Sequence, residues 1–350
     1  MANGDAVKRF ARIMAGRKLY YLLNSGKNSK FKYFFRNYLR LLCPKWICRA
    51  RRERIIKRLS RRCDMDYVMR RVDYYNKLSR HDTLACKWHE SMICLSQQGM
   101  CKEGKVYFFD SHEYSRFFKQ DLHWKLLAGD IVEVPPVPSI VKSRPLVADN
   151  EFSVLLNMDK VRHFIFADDK KSFGQKKDMV VFRGKIGVPG SPMFKENRYR
   201  FLKQFMGNPM CDLGEIKSRY CTPEWVVDKM TIGEHLDYKF VLALEGNDVA
   251  SNLKWVMSSN SLAVMPRPTC ETWFMEGTLV GGVHYVEIKP DFSDLEEKMR
   301  YYMENQDEAL KIIENAHKYV AQFRDKKRER LISLLVMKKY LSVVNPWIEL

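Results

Sequence analysis

The sequence contains no apolar run near the ~18 residues a membrane-spanning helix needs. Its N-terminus also lacks the apolar stretch of a secretory signal, the longest run there being Leu19-Tyr-Tyr-Leu-Leu23. A cytoplasmic protein is therefore expected. No C-x-x-C occurs: the nine cysteines are scattered (Cys43, Cys48, Cys63, Cys86, Cys94, Cys101, Cys211, Cys221 and Cys270) and odd in number. That argues against a zinc cluster and a disulfide framework, and leaves reduced, mostly buried thiols as the expectation. Internal repeats and low-complexity segments are missing too. With 46% apolar and 29% charged residues, the 350-residue chain is long enough for two domains with their own cores.

Acidic residues are scarce in one place. Residues 1–62 hold 19 Lys and Arg against Asp5 and Glu53 alone, so nearly all of the +19 net charge lies there. Such asymmetry points to a polyanionic partner, either a membrane or a nucleic acid. Phe31, Phe34, Phe35, Tyr38, Leu39 and Leu42 form one helical stripe beside Lys30, Lys32, Arg36 and Arg40. A basic, aromatic-rich amphipathic helix suits an anionic membrane interface. The alternative is a helix that packs this stripe on the body. Pro44 is expected to end the helix, and a second basic one to follow over 47–59.

Beyond residue 65, strand-like and helix-like segments alternate, which argues for α/β architecture with parallel sheets. Strands are expected at 106–109, 131–134, 154–156, 164–166, 179–182, 240–244, 261–265 and 283–288. Helices are expected at 112–118, 195–205, 253–257, from 273, over 295–323 and in the last 25 residues. The polar stretch 168–178 looks like a linker. The division expected is a basic helical segment (1–64), an acceptor-side domain (65–175), a nucleotide-sugar domain (176–325) and a C-terminal helix (326–350).

Two strand ends attract attention. The run Phe240–Leu244 leads into Glu-Gly-Asn-Asp, where Gly246, Asn247 and Asp248 form a turn before a helix carrying Ser251, Asn252 and Lys254. Ligands of open α/β sheets bind at that end of the strands, and a helix start there accepts an anion such as phosphate. An ordinary capped helix with a solvated lysine is the competing reading. Val180-Val-Phe182 likewise ends in Arg183-Gly184, placing a cation suited to phosphate beside an approachable backbone.

The motifs F-R-G (182–184), K-F-V-L-A-L-E-G-N-D-V-A-S-N-L-K-W (239–255), S-S-N-S-L-A-V-M (258–265), E-T-W-F-M-E-G (271–277) and V-H-Y-V-E-I-K-P-D-F-S-D-L-E-E-K (283–298) resemble glycosyltransferase family 90. With S-R-P (143–145), S-V-L-L-N (153–157) and K-V-R-H-F (160–164), the resemblance is closest to the bacterial lipopolysaccharide-core branch. It covers roughly residues 105–325 and omits the basic N-terminal segment.

The resemblance implies a GT-B fold, two Rossmann-like domains facing a cleft, here with a basic helical extension. It also implies a UDP-sugar donor such as UDP-glucose or UDP-galactose, inversion at the anomeric carbon, and no required metal or other cofactor. A lipid-linked glycan acceptor at the inner membrane face would fit the basic residues 8–62. Protein cations must then neutralise the departing diphosphate, with Arg183 and Lys254 of the right type and Arg144 facing the cleft. Where the eukaryotic branch has a donor-contacting arginine this chain has Asn252, which shifts weight to Lys254. Glu271 and Glu276 are candidates for holding ribose hydroxyls. The family's general base is an Asp after an N-terminal-domain strand. Asp110, following 106–109, is placed there, with capping of a helix at His112 as its alternative and with Asp130 and Glu113 in reserve. Arg162 and His163 could face the same cleft.

Two other readings compete. Asp64-Met65-Asp66 is a D-x-D, the metal motif of the other large glycosyltransferase fold, but the residues before it are basic rather than a strand. A nucleic-acid binder would use the basic arm, yet would not need phosphate-type strand ends in a neutral body. No nucleic-acid partner is expected.

Overall fold

A computed structural model of the chain describes residues 16–79, 87–100, 104–216 and 223–348. Cys86, Cys101, Cys221 and the basic residues before position 16 lie outside them. The helices include α1 (Lys30–Leu41), α2 (Lys45–Leu59), α3 (Met65–Tyr75), α4 (Lys105–Ser115), α5 (Lys160–His163), α6 (Glu196–Phe205), α7 (Ile232–His235), α8 (Leu253–Val256), α9 (Leu295–Glu304), α10 (Gln306–Ala321) and α11 (Lys326–Val344). The strands are β1 (Ile93–Cys94), β2 (His123–Trp124), β3 (Ser139–Val141), β4 (Ser143–Pro145), β5 (Ser153–Leu155), β6 (Lys177–Gly184), β7 (Cys211–Glu215), β8 (Tyr238–Leu242), β9 (Leu262–Met265), β10 (Cys270–Thr272) and β11 (Val286–Glu287).

The centre of the C-terminal half is a five-stranded, all-parallel sheet in the order β11-β9-β8-β6-β7. The runs 179–182, 240–244 and 262–265 at its centre are unbroken apolar because both faces are covered there. Val180, Phe182, Phe240, Leu242, Leu262 and Val264 point to one face, where α6, α9 and α10 bury Phe201, Leu202, Leu295, Met299, Ile312 and Ile313. Val181, Val241, Ala243, Ala263 and Met265 point to the other, against Trp255, Trp273 and the helices of the N-terminal half.

The N-terminal half differs from expectation. Among its described residues the strands are two or three residues long and pair only in twos: β1 with β2, β3 with β5, and β4 with β10. The runs 131–134 and 164–166 form no strand. The run 106–109 is the start of α4, buried on nearly every side through Phe108, Phe109, Asp110, Ser111, His112, Tyr114 and Ser115. The segment from Trp273 is not an α-helix start but a turn after β10 that leads into a 3₁₀ turn at Glu276–Thr278, and the helical region after Leu295 breaks at Asn305. The last helix, α11, returns to the N-terminal half and packs on α2, α3, α4 and β2.

The aromatic helix α1 forms as expected, with Ser29 as its N-cap. Of the apolar stripe, Phe34 packs on Phe109, and most of the rest is not on the packed face. Tyr33 and Asn37 are buried, and Arg40 grips Glu113 through two bonds of 2.8 Å. Phe31 (78% exposed), Phe35 (57%) and Leu42 (77%) face outward with Tyr38, Leu39 and Trp46. The body beneath α1 presents the Asp110 and Glu113 carboxylates, which take a hydroxyl and a guanidinium, beside a small apolar patch of Phe108, Phe109 and Val161 on which Tyr33, Phe34 and Leu41 pack.

Candidate active site

Strands β6 and β8 end at one edge of the sheet, and the turn after β8 brings residues 245–252 over it. A cavity of about 250 Å³ opens there. Leu244, Glu245 and Ala250 line it from the β8 side, Met265–Thr269 from the end of β9, with Glu276 and Phe292 completing the wall. This is the place where the sequence put a nucleotide, but several expected ligands are committed elsewhere.

Lys254 and Glu276 are wholly buried and pair with each other. The same carboxylate accepts from the Thr272 amide at 2.7 Å and from its hydroxyl, and the Lys254 ammonium lies 5.1 Å from the Phe274 ring centre. Neither is a free ligand: a buried charge stays charged only when paired. Arg144 and Glu271 face each other across the β4–β10 pairing and bond at 2.8 Å. Arg144 also donates to the carbonyls of Tyr74 and Ser153, and the Tyr74 hydroxyl takes the second Glu271 oxygen. They form a clasp between the halves, which leaves Glu271 no oxygen for a ribose.

Arg183 turns away from the strand end. Its guanidinium bonds the Asp212 carboxylate at 2.5 Å and the Asp212 carbonyl at 2.8 Å. Gly184 is needed for packing, since a Cβ there would lie 2.3 Å from the Phe182 ring. Asn252 donates to the Leu242 carbonyl at 2.9 Å and so fixes the turn to β8, while Ser251 is half-buried within that turn.

The residues that do converge come from both halves. The Lys142 ammonium sits 2.6 Å from Asp248 and 2.5 Å from Asp130. Asn247 donates to Asp130 at 3.1 Å and accepts from Lys195. Arg198, on the first turn of α6, donates to the Leu244 carbonyl at 3.0 Å and lies against Gly246, where a Cβ would come within 3.1 Å of its Nη2. Sequence reasoning missed Lys142, Lys195 and Arg198. The Gly- and Pro-rich loop 187–192 was a signal for the last two, because it brings the next helix back over the strand end.

Asp110 is not at a strand end. It lies inside α4 with 0% exposure, accepting from the Tyr33 hydroxyl at 2.9 Å and from the Lys160 amide at 3.1 Å. Burial raises its pKa, opposed by Lys160. Glu113 would also be raised by burial, but Lys160 and Arg40 bring it down to about 2. Asp130 ends below the ordinary carboxylate range because Lys142 outweighs the effect of burial.

Asp159 differs from all three. It follows the buried strand β5 in a left-handed conformation (φ 52°), which is uncommon outside glycine and is found at functional sites. Its carboxylate accepts no hydrogen bond among the described residues, and the nearest cation is Arg162 Nε at 3.6 Å. Burial lifts its pKa to about 6, with Asp110 and Asp130 adding to the effect against Arg162 and Lys142. His163 lies 3.6 Å away, buried, with neither ring nitrogen hydrogen-bonded. Burial and the neighbouring Lys254 and Lys142 hold its pKa well below the ordinary value, so the ring is neutral.

The D-x-D motif has no part here. Asp64 pairs with Arg62 and Arg328, and Asp66 is exposed on α3. Among the described residues no cluster of three His, Cys, Asp or Glu is arranged to hold a metal, and no helix is long and apolar enough to cross a membrane.

The fold is thus an α/β arrangement whose parallel sheet ends at a cavity, with polar and cationic groups above the strand ends, while Asp159, a carboxylate that accepts no hydrogen bond among the described residues, follows β5 in the N-terminal half. Residues 158–340 match the family described as Glycosyl transferase family 90. The sequence is 36% identical over 319 residues to "O-glucosyltransferase LpsA" from Dichelobacter nodosus, covering 91% of this chain and 96% of that protein. A shorter likeness, 28% over 102 residues, links 29% of the chain to 9% of "Uncharacterized protein 035R" from Invertebrate iridescent virus 3. The chain belongs to glycosyl transferase family 90. It transfers a sugar from a donor to an acceptor.

Proposed function

We propose that the protein is an inverting, metal-independent hexosyltransferase that moves glucose or galactose from a UDP-sugar to a lipopolysaccharide-core or similar lipid-linked glycan. The observation that carries this reading is the identity with an O-glucosyltransferase along almost the whole of both chains. The name of that relative favours glucose as the sugar. In this reading the chain has a GT-B arrangement whose parallel sheet takes the nucleotide in the cavity beyond β8 and β9. The N-terminal half with α11 forms the acceptor side.

The base of this reaction is Asp159 rather than Asp110. An inverting transfer needs one carboxylate, ionised at working pH and open to the acceptor hydroxyl. No hydrogen-bond donor holds the Asp159 carboxylate among the described residues, whereas both oxygens of Asp110 are taken. Incubation with UDP-glucose and UDP-galactose in the presence of a chelator, followed by NMR of the product's anomeric centre, tests the reading. Transfer with inversion supports it, and retention or dependence on a divalent ion contradicts it. Asp110→Asn serves as the control. It weakens bonds to Tyr33 and Lys160, so about 1–3 kcal/mol of stability should be lost while kcat stays within about tenfold.

The basic N-terminal helices attach the enzyme to an anionic membrane surface. In support, α1 turns Phe31, Phe35, Leu39 and Leu42 outward beside exposed Lys30, Lys32 and Arg36, with Leu19, Leu22, Leu23 and Trp46 exposed nearby. Each Lys or Arg close to such a surface contributes about 1 kcal/mol. Phe31→Glu with Phe35→Glu should abolish sedimentation with phosphatidylglycerol vesicles and leave the melting temperature unchanged, since neither ring is buried. Equal sedimentation of the double variant would contradict the assignment.

A further inference from the structure

An Asp that opens a helix ordinarily spends its oxygens on that helix's own first amides. Asp159 opens α5 in a left-handed conformation and makes no such bond. The Lys160 amide is taken instead by Asp110, which reaches across from α4 at 3.1 Å. A residue in so sparsely populated a conformation keeps it only where its surroundings hold it there. Those surroundings are built in large part by α1, which precedes the residues 158–340 that match the family. Building on the reading of Asp159 as the base, we propose that α1 is its positioning element, acting through Tyr33, Arg40 and the neighbouring Asn28.

Three contacts carry this, and each ends on Lys160, the residue after Asp159. First, the Tyr33 hydroxyl donates to one oxygen of Asp110 at 2.9 Å, while the other oxygen holds the Lys160 amide. Second, Arg40 holds Glu113 through two bonds of 2.8 Å, and Glu113 accepts from the Lys160 ammonium at 2.8 Å. Third, the Asn28 side chain, just before the N-cap of α1, donates to the Phe164 carbonyl at 3.1 Å and to the Lys160 carbonyl at 3.4 Å. Helix α5 is thus gripped at both ends. Packing follows the same route: Tyr33 joins Phe108 and Phe109 of α4 and Val161 of α5 in one small apolar cluster, apart from the two large cores.

Lys160 shows why α1 matters. Its ammonium lies 2.8 Å from Glu113 and 3.7 Å from Asp110, with the Tyr114 hydroxyl at 3.2 Å. Charges buried together hold a single geometry only when their remaining hydrogen-bonding positions are filled. Tyr33 and Arg40 fill them, one on each carboxylate. With α1 displaced, Asp110 and Glu113 would compete for Lys160, and the backbone of Asp159 would turn with it. In this role Asp110 and Glu113 do not touch the substrate; they carry the position of α1 to the base. The outer face of the same helix bears Phe31, Phe35 and Leu42, so one helix joins the exposed apolar surface to the turn that holds Asp159.

The test takes water as the acceptor, with UDP-glucose as the donor. As the water oxygen attacks the anomeric carbon, Asp159 takes its proton. The bond to the β-phosphate oxygen breaks and its electron pair leaves with UDP, giving glucose and UDP. Tyr33→Phe with Arg40→Gln should lower kcat for this hydrolysis by about 10- to 100-fold, the effect of misplacing a reacting group by about 1 Å, and leave KM for UDP-glucose unchanged. Either change alone should lower kcat less than about tenfold, because the other relay remains. Asn28→Ala, on the surface, should lower kcat by about 2- to 10-fold, as the loss of one or two such bonds allows. Its melting temperature should not change, and it gives the same comparison should the double variant not fold. In an Asp159→Asn background each of these changes should alter the residual kcat by no more than about twofold, since groups that act through one residue are not additive. Equal losses with and without Asp159, or an unchanged kcat in both Asn28→Ala and the double variant, would overturn the positioning role. Wild type that releases no UDP, or Asp159→Asn with full activity, would overturn the reading on which that role rests.

Discussion

Asp159→Asn is expected to lower kcat by about 10²- to 10⁴-fold, the range of general-base catalysis, and at the same time to make the protein more stable. The two effects have one origin. Folding places this carboxylate in a buried site without a hydrogen bond, next to Asp110 and Asp130, and raises its pKa to about 6. The ionised form is therefore disfavoured in the folded state. Because the folded pKa lies above the unfolded one, the group favours folding only while protonated. Its unfavourable contribution sets in as pH rises from about 4 to about 6 and is complete above that. Asn carries no charge and tolerates the left-handed backbone, so at pH 7.5 a gain on the order of 2 kcal/mol should follow. Urea unfolding measures it. The rate has the opposite pH dependence: kcat/KM of the wild type should fall about tenfold per unit below pH 6, and the variant's residual activity should lack that limb. A variant that is both inactive and destabilised would point to a structural role.

Lys254→Ala should destabilise the protein by about 3–5 kcal/mol, the cost of leaving a buried charge without its partner. Glu276 would keep only the Thr272 amide and hydroxyl, and the Phe274 face would lose its cation. Combining Lys254→Met with Glu276→Gln removes both charges. The double variant should be less destabilised than the sum of the two single changes, because residues in direct contact are not additive. Whatever fraction of Lys254→Ala remains folded should bind UDP with near wild-type affinity. A stable Lys254→Ala variant with a selective loss of UDP binding would return Lys254 to the donor site.

Lys254 meets Glu276 across 22 positions, and the other buried cations also find partners distant in sequence. Arg144 meets Glu271 across 127 positions, and Arg183 meets Asp212 across 29. Nothing in residue spacing announces such pairs, so free-looking cations at strand ends were read as ligands. The sheet itself was legible, because 179–182, 240–244 and 262–265 are apolar runs that end at turns carrying Gly or Pro. Helix α4 was not: buried on almost all sides, it shows no 3.6-residue alternation, and its Val-Tyr-Phe-Phe run has strand preferences. That misreading put Asp110 at a strand end. The rule that singled out residues 183 and 246 would have found Asp159, since Asn157-Met158-Asp159 directly follows the buried run 153–156.

The central claim is that this chain binds a UDP-sugar at the carboxyl edge of its parallel sheet without a metal. Calorimetric titration of wild-type protein with UDP-glucose, and with ADP-glucose as the control, in the presence of EDTA tests it most directly. The account predicts a single site selective for UDP-glucose whose affinity is unaffected by the chelator. No binding, equal binding of the two nucleotide sugars, or binding only after a divalent ion is restored would contradict it.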